Sequence, residues 1–145
     1  MVSLKGLRIL FADDETYNMR GTIDALEFAG AKVYVVTDGT EALEFLREHK
    51  TDLPDLLILD IMMPGGPEIQ PIEPRDEGRS TGVKVHRRMQ EENITIPTVV
   101  STVVSDESIL DYFRRDQKIP IVQKPYRFAE LEHQIMKVLT ESERR

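Results

Sequence analysis

The chain has 145 residues, a formal net charge of −7 from 19 Lys and Arg against 26 Asp and Glu, 40% apolar residues and no cysteine. That length predicts one domain with a single core, and the absent cysteines exclude a disulfide framework or a thiolate metal site. The acidity argues against direct nucleic-acid binding by this chain, and no apolar run approaches the roughly 18 residues of a membrane span.

The start, Met1-Val2-Ser3-Leu4-Lys5-Gly6, has no long apolar core or cleavage-like tail. No secretory signal is expected, and a cytoplasmic protein fits. Leu7 to Ala12 is a short β-compatible run that ends in acid, Asp13-Asp14-Glu15. Met19, Ile23, Leu26 and Ala29 then fall at helical spacing, with Gly30 as the stop. Lys32 to Thr37 predicts a second strand. Asp38-Gly39 makes a turn, and Thr40 is placed as the cap of a helix carrying Ala42, Leu43 and Leu46. Asp52-Leu53-Pro54 breaks that helix.

Leu56-Leu57-Ile58-Leu59 is apolar without alternation, the pattern of a strand buried on both faces of a parallel sheet. It ends in a carboxylate, Asp60, before Ile61-Met62-Met63-Pro64-Gly65 turns the chain. A half-buried acid at a strand end either caps the turn or awaits a cation and donors. Residues 66–81 form a proline-rich insertion in which Pro67, Pro71 and Pro74 forbid a regular helix or central strand. A loop of that length is either a tolerated insertion or a lid or partner-binding element, and the sequence leaves both open. Gly82 opens a helix with Val85 and Met89, which ends near Asn93. Thr98 to Val103 is a β-branched fourth strand, and Ser105 or Asp106 caps a helix with Ile109, Leu110 and Phe113. Ile121-Val122-Gln123 predicts a fifth strand before Lys124-Pro125, and Phe128, Leu131, Ile135 and Val138 mark a last helix. The charged end from Glu141 to Arg145 is a helix terminus or a linker.

Strand and helix alternate five times, which predicts an α/β domain with a doubly wound parallel sheet and helices on both faces. Asp13, Asp14, Asp60, Thr102 and Lys124 each stand at the carboxyl end of a predicted strand, so such a sheet brings them to one edge. Three carboxylates without a nearby histidine suit a hard cation with oxygen ligands, Mg²⁺ first and Mn²⁺ as the alternative. One carboxylate is a candidate nucleophile that would form an acyl phosphate, with a hydroxyl and an ammonium to hold the remaining oxygens. The bland readings stand beside these: Asp13-Asp14 as a helix cap, Thr102 as one more strand residue, Lys124 as a surface lysine.

These residues in combination resemble the receiver domain of two-component response regulators. That family carries an acidic pair after the first strand, a phosphorylated aspartate after the third, Thr or Ser after the fourth and Lys-Pro after the fifth. Here the matches are Asp13-Asp14, Asp60 in Leu-Asp-Ile-Met-Met-Pro-Gly, Thr102 and Lys124-Pro125, with Asp38-Gly39-Thr40-Glu41-Ala42-Leu43 resembling the second loop and helix. The likeness covers about 7–139 of a single domain spanning 1–145. It implies a flavodoxin-like strand order of 2-1-3-4-5. It also implies that Asp60 accepts a phosphoryl group from a sensor histidine kinase or histidine phosphotransfer protein. Asp13, Asp14, Asp60 and the Met62 carbonyl would hold Mg²⁺, Lys124 would pair with the phosphoryl group, and Thr102 would bond to it after transfer. The product would be a switch rather than an enzyme with an outside substrate. A downstream output domain or protein would read it, or a second copy docked through the fourth helix, fifth strand and fifth helix.

The chain departs from the family in four places. The insertion adds about fourteen residues to a loop that is usually short, and Thr81-Gly82 stand where Asp-Gly is usual. Ile121 replaces the usual Tyr or Phe, which puts the Thr-aromatic coupling in doubt. Val103 is bulkier than the residue usual after Thr102 and would crowd the phosphoryl group. Met62 and Val104, two residues past Asp60 and Thr102, give an attacking water no hydrogen-bonding anchor, which implies slow self-dephosphorylation. Three other functions remain: a phosphohydrolase or phosphotransferase built on an aspartyl nucleophile, an interaction module that is never phosphorylated, and a flavin-binding protein of the same topology. The first lacks a second acid beside Asp60, since Ile61 and Met62 follow it. The last lacks a phosphate loop after the first strand.

Overall fold

The computed structural model describes residues 3–69 and 78–143. Residues 70–77, most of the proline-rich insertion with Pro71 and Pro74, lie outside the described residues, as do Arg144 and Arg145 of the charged end. The strands are β1 (Arg8–Ala12), β2 (Lys32–Val36), β3 (Leu56–Leu59), β4 (Thr98–Thr102) and β5 (Ile121–Gln123). The helices are α1 (Arg20–Phe28), α2 (Gly39–Glu48), α3 (Thr81–Glu91), α4 (Glu107–Asp111) and α5 (Phe128–Glu143). The strands form one five-stranded sheet in the order β2-β1-β3-β4-β5, with every pairing parallel. This is the flavodoxin-like order, in which the chain reverses direction of winding between β1 and β3.

Strand alternation divides the core between the two faces. Leu57 and Leu59 of β3 pack with Leu10 and Val100 against Leu43 and Leu46 of α2, Val85 and Met89 of α3, and Leu110 of α4. Leu56 and Ile58 face the other way, with Ile9, Phe11 and Val99, onto Ile23 and Leu26 of α1 and Leu131 and Ile135 of α5. All four β3 residues are buried, as their unbroken apolar run requires. Each such side chain contributes about 1.5–3 kcal/mol of transfer free energy, so the sheet centre is the most firmly held part of the molecule.

Local chemistry corrects one of the expected caps and decides another. Asp38, not Thr40, caps α2: its carboxylate accepts from the Glu41 amide at 2.7 Å, while Glu41 reaches back to the Thr37 amide at 2.7 Å. Thr40 lies two residues further on, within the first turn, where its hydroxyl donates to the Gly65 carbonyl at 2.8 Å. Of the two candidates for α4, Asp106 is the cap, accepting from the Ser108 and Ile109 amides. The expected fourth helix is also not uniform. It leaves the α-helical ladder after Asp111 and continues as a π-helical turn, Tyr112–Asp116. Phe113 is wholly buried there, and the Tyr112 hydroxyl lies 2.8 Å from Nδ1 of the buried His86 on α3.

The neck of the insertion is closed by one backbone and one side-chain hydrogen bond. The Met63 amide donates to the Gly78 carbonyl at 3.2 Å, and the Thr81 hydroxyl donates to the Met63 carbonyl at 2.6 Å. A Cβ on Gly82 would stand 2.7 Å from the Asp60 carbonyl oxygen and from the Ile61 Cα, so only glycine lets α3 start against the end of β3. Despite the added residues, α3 therefore begins directly beside Asp60.

Candidate functional site

The carboxyl ends of β1, β3, β4 and β5 meet in one acidic pocket. Asp13 follows β1 and is 1% exposed, Asp60 follows β3 and is 2% exposed, and Thr102 ends β4 fully buried. The parallel ladder explains the convergence: Ala12 is in register with Leu59, and Thr102 with Gln123, so the next residue of each strand reaches the same level. Lys124 crosses the pocket, with Nζ donating to Asp13 Oδ2 at 2.7 Å and to Asp60 Oδ2 at 3.0 Å. Carboxylate oxygens of Asp13, Asp14 and Asp60 all lie within 4.8 Å of one another.

Asp13 and Asp60 are oriented as well as placed. Asp13 Oδ1 accepts from the Glu15 amide at 2.9 Å, and Asp60 Oδ1 accepts from the Met62 amide at 3.2 Å. The alternative role for the acid pair, capping the first helix, is not what the structure holds. The N-cap of α1 is Met19, six residues beyond Asp13, and it makes no side-chain cap bond. Thr102 Oγ1 accepts from the Val104 amide at 3.2 Å, and the Val104 carbonyl accepts from Gln123 Nε2 at 3.0 Å.

The electrostatics follow from burial. Burial pushes the Asp60 carboxyl above its ordinary value; the Lys124 charge opposes that, the Asp13 charge adds to it, and the Thr102 hydroxyl lowers it in part. Burial also pulls the Lys124 ammonium down, but the Asp13 hydrogen bond and the charges of Asp60 and Asp13 carry it above its ordinary value. Lys124 is therefore cationic throughout the physiological range. Asp14, more exposed, is raised first by partial burial; its own backbone amide opposes this and the Asp13 and Glu15 charges reinforce it.

Met62 and Val103 are 39% and 51% exposed at the pocket rim. Val104 and Ile121 are partly buried against the cluster that holds Leu110 and Phe113. Sequence reasoning passed over one polar pair beneath the pocket. The Tyr126 hydroxyl lies 2.8 Å from Ser101 Oγ, joining the residue before Thr102 to the residue two beyond Lys124. The only sequence signal for it is adjacency to two candidate site residues.

The comparisons with known proteins give the family and agree with the fold. A family model described as "Response regulator receiver domain" matches residues 9–136. The response regulator MprA of Mycobacterium leprae (strain TN) is 32% identical over 96 residues, which are 66% of this chain and 35% of the relative. The chain thus spans about a third of the length of the curated relatives it matches. The structure of a CheY-like response regulator receiver domain protein from Methanospirillum hungatei JF-1 superposes with a TM-score of 0.74 at 19% identity, covering 97% of this chain and 98% of that one. A response regulator receiver protein from Sinorhizobium medicae WSM419 gives a TM-score of 0.69 at 25% identity, covering 95% and 98%.

Proposed function

We propose that this chain, which belongs to the response regulator receiver domain family, is the phosphoacceptor of a two-component signalling step, with Asp60 as the accepting residue. The observation that carries the reading is the Lys124 ammonium bonded at once to Asp13 and Asp60, with Asp14 beside them, in a pocket at the sheet's carboxyl edge. The donor is a phosphohistidine on a sensor kinase or a histidine phosphotransfer protein. An Asp60 carboxylate oxygen attacks phosphorus and the P–N bond breaks. The bonding pair leaves on the imidazole, which takes up a proton from water. Burial serves this step, because a carboxylate stripped of water and made more basic is the better nucleophile. Lys124 would move from its carboxylate partners to a phosphoryl oxygen, and the Thr102 hydroxyl would exchange the Val104 amide for another.

The donor set fits a hard divalent cation. Three carboxylates against one ammonium leave an excess of two negative charges, with Asp13 and Asp60 both buried, which is costly without a counter-charge. Asp13, Asp14, Asp60 and the Met62 carbonyl would hold Mg²⁺, or Mn²⁺ in its place. Once bound, the ion supplies neutralisation of the phosphoryl oxygens. The switched surface is assigned to α4, β5 and α5, where a downstream output domain or protein, or a second copy, would dock. Turnover of an outside phosphate ester is not expected, since the wholly buried Ile61 and the apolar Met62 follow Asp60 where a second acid would be needed.

Intact mass after incubation with acetyl phosphate tests the reading. A gain of one phosphoryl group that needs Mg²⁺ and is lost in Asp60→Ala is the expected result. No gain in the wild-type chain would make the unphosphorylated interaction module the better account.

A further inference from the structure

We propose that Tyr126 is a positioning residue for Asp60 phosphorylation, its hydroxyl clasping Ser101 so that Lys124 and Thr102 are held at a fixed separation across the pocket. The inference rests on the reading of Asp60 as phosphoacceptor. Lys124 and Thr102 approach that residue from two neighbouring strands, and the ladder between those strands is short. β5 has three residues and pairs only through Val100–Ile121, Ser101–Val122 and Thr102–Gln123. Beyond it, the Lys124 amide donates to the Thr102 carbonyl at 2.8 Å, and α5 does not begin until Phe128. The segment from Lys124 to Arg127 must therefore be fixed by side chains, at the point where Nζ has to meet two carboxylates.

Tyr126 supplies that fixation. Its ring packs against the core cluster of Ile9, Phe11, Val99 and Leu131. Its hydroxyl meets the Ser101 hydroxyl at 2.8 Å, and Ser101 is 1% exposed. Alternation along β4 sends Ser101 to the α1 and α5 face, beneath the pocket, while its neighbour Thr102 stands at the strand end. One hydrogen bond thus joins β4 to the β5–α5 segment, the two stretches that carry Thr102 and Lys124 into the pocket. Tyr126 does not reach the reacting atoms. It acts through Lys124, two residues away, and through Thr102, next to its partner.

The test is the rate of phosphoryl uptake from acetyl phosphate at saturating Mg²⁺, followed by intact mass. Tyr126→Phe keeps the ring and loses the hydroxyl, and uptake is expected to slow about fivefold with a Mg²⁺ half-saturation point unchanged. Ser101→Ala is expected to slow it similarly, and the double variant to be no slower than either single one. In a Lys124→Ala background, Tyr126→Phe is expected to slow uptake markedly less than in the wild type, which a merely structural role would not produce. Wild-type rates in both single variants, or equal slowing with and without Lys124, would overturn the clasp while leaving Asp60 as acceptor. Should Tyr126→Phe fail to fold, Ser101→Ala and its Lys124→Ala combination decide the matter alone. A wild-type chain that takes up no phosphoryl group would overturn both the clasp and the reading beneath it.

Discussion

At the scale of single residues, the pocket exchanges stability for reactivity. Asp60 is buried with its carboxyl held above the ordinary value of 3.8, and burial is the largest cause. Between that value and the raised one, the folded chain binds a proton that the unfolded chain has lost, so stability falls as pH rises through this window. Above it, ionised Asp60 costs stability. Asp60→Asn removes the charge and leaves Lys124 its bond to Asp13. The variant is expected to melt about 3 °C higher than the wild type at pH 7, the size of ~1 kcal/mol in a chain of this length. The gap should close below the ordinary carboxyl range. A thermal melt series from pH 3 to pH 7 measures it, and an Asn variant that melts lower at pH 7 would contradict the electrostatic account. The lifetime of the product is also a residue-scale property. Met62 is exposed at the rim and Val104 lies partly against the core, and neither offers a hydrogen bond to water. Met62→Asn combined with Val104→Gln is expected to shorten the acyl-phosphate half-life about tenfold, a gain of the order that one positioned water contact can supply. An unchanged half-life would remove these two positions from the mechanism.

At the scale of elements, the start of the insertion is anchored to two helices at Glu68. Glu68 at its start meets Arg47 of α2 through two hydrogen bonds of 2.7 Å and Arg88 of α3 through one of 2.7 Å. Arg47 also bonds Glu92, through Nε to Oε1 at 2.7 Å. The Arg47 side-chain bonds hold both Glu68 and Glu92 below the usual carboxylate value, against the opposing effect of burial. A carboxyl lowered in the folded chain contributes stability that is present above 4.5 and lost as pH falls through the folded value. Glu68→Gln is therefore expected to cost about 1 kcal/mol at pH 7, since the groups are about a third exposed and partly screened, and almost nothing at pH 3. Chemical denaturation at both pH values checks this, and an equal cost at both would mean the loss is one of packing. This network was not legible in the sequence, because its members lie 21 and 45 residues apart and nothing local pairs them. Legibility elsewhere followed the range of the interaction. The β3 run and the α5 stripe declare themselves through periodicity. The preference for Asp38 over Thr40 as a cap, by contrast, depends on Thr40 finding Gly65 across the fold. The π-helical turn at Tyr112 likewise depends on contacts with His86 that span 26 residues.

At the scale of the whole molecule, alternation in the sequence specifies a parallel sheet but does not order its strands. The order of β2-β1-β3-β4-β5 was implied only by the family resemblance, and it is what brings four strand ends to one pocket. The candidate site was legible for a simple physical reason: a strand buried on both faces cannot end in a bare carboxylate, so Asp13 and Asp60 called for a cation, and Lys124 is the one they share. The central claim is that Asp60, alone among these acids, carries the phosphoryl group. Borohydride reduction of the chain after incubation with acetyl phosphate and Mg²⁺ converts an aspartyl phosphate to homoserine, which peptide mass spectrometry then locates. Homoserine at position 60 and at neither 13 nor 14 is the expected outcome. Homoserine at position 13 or 14, or at none of the three, would contradict it.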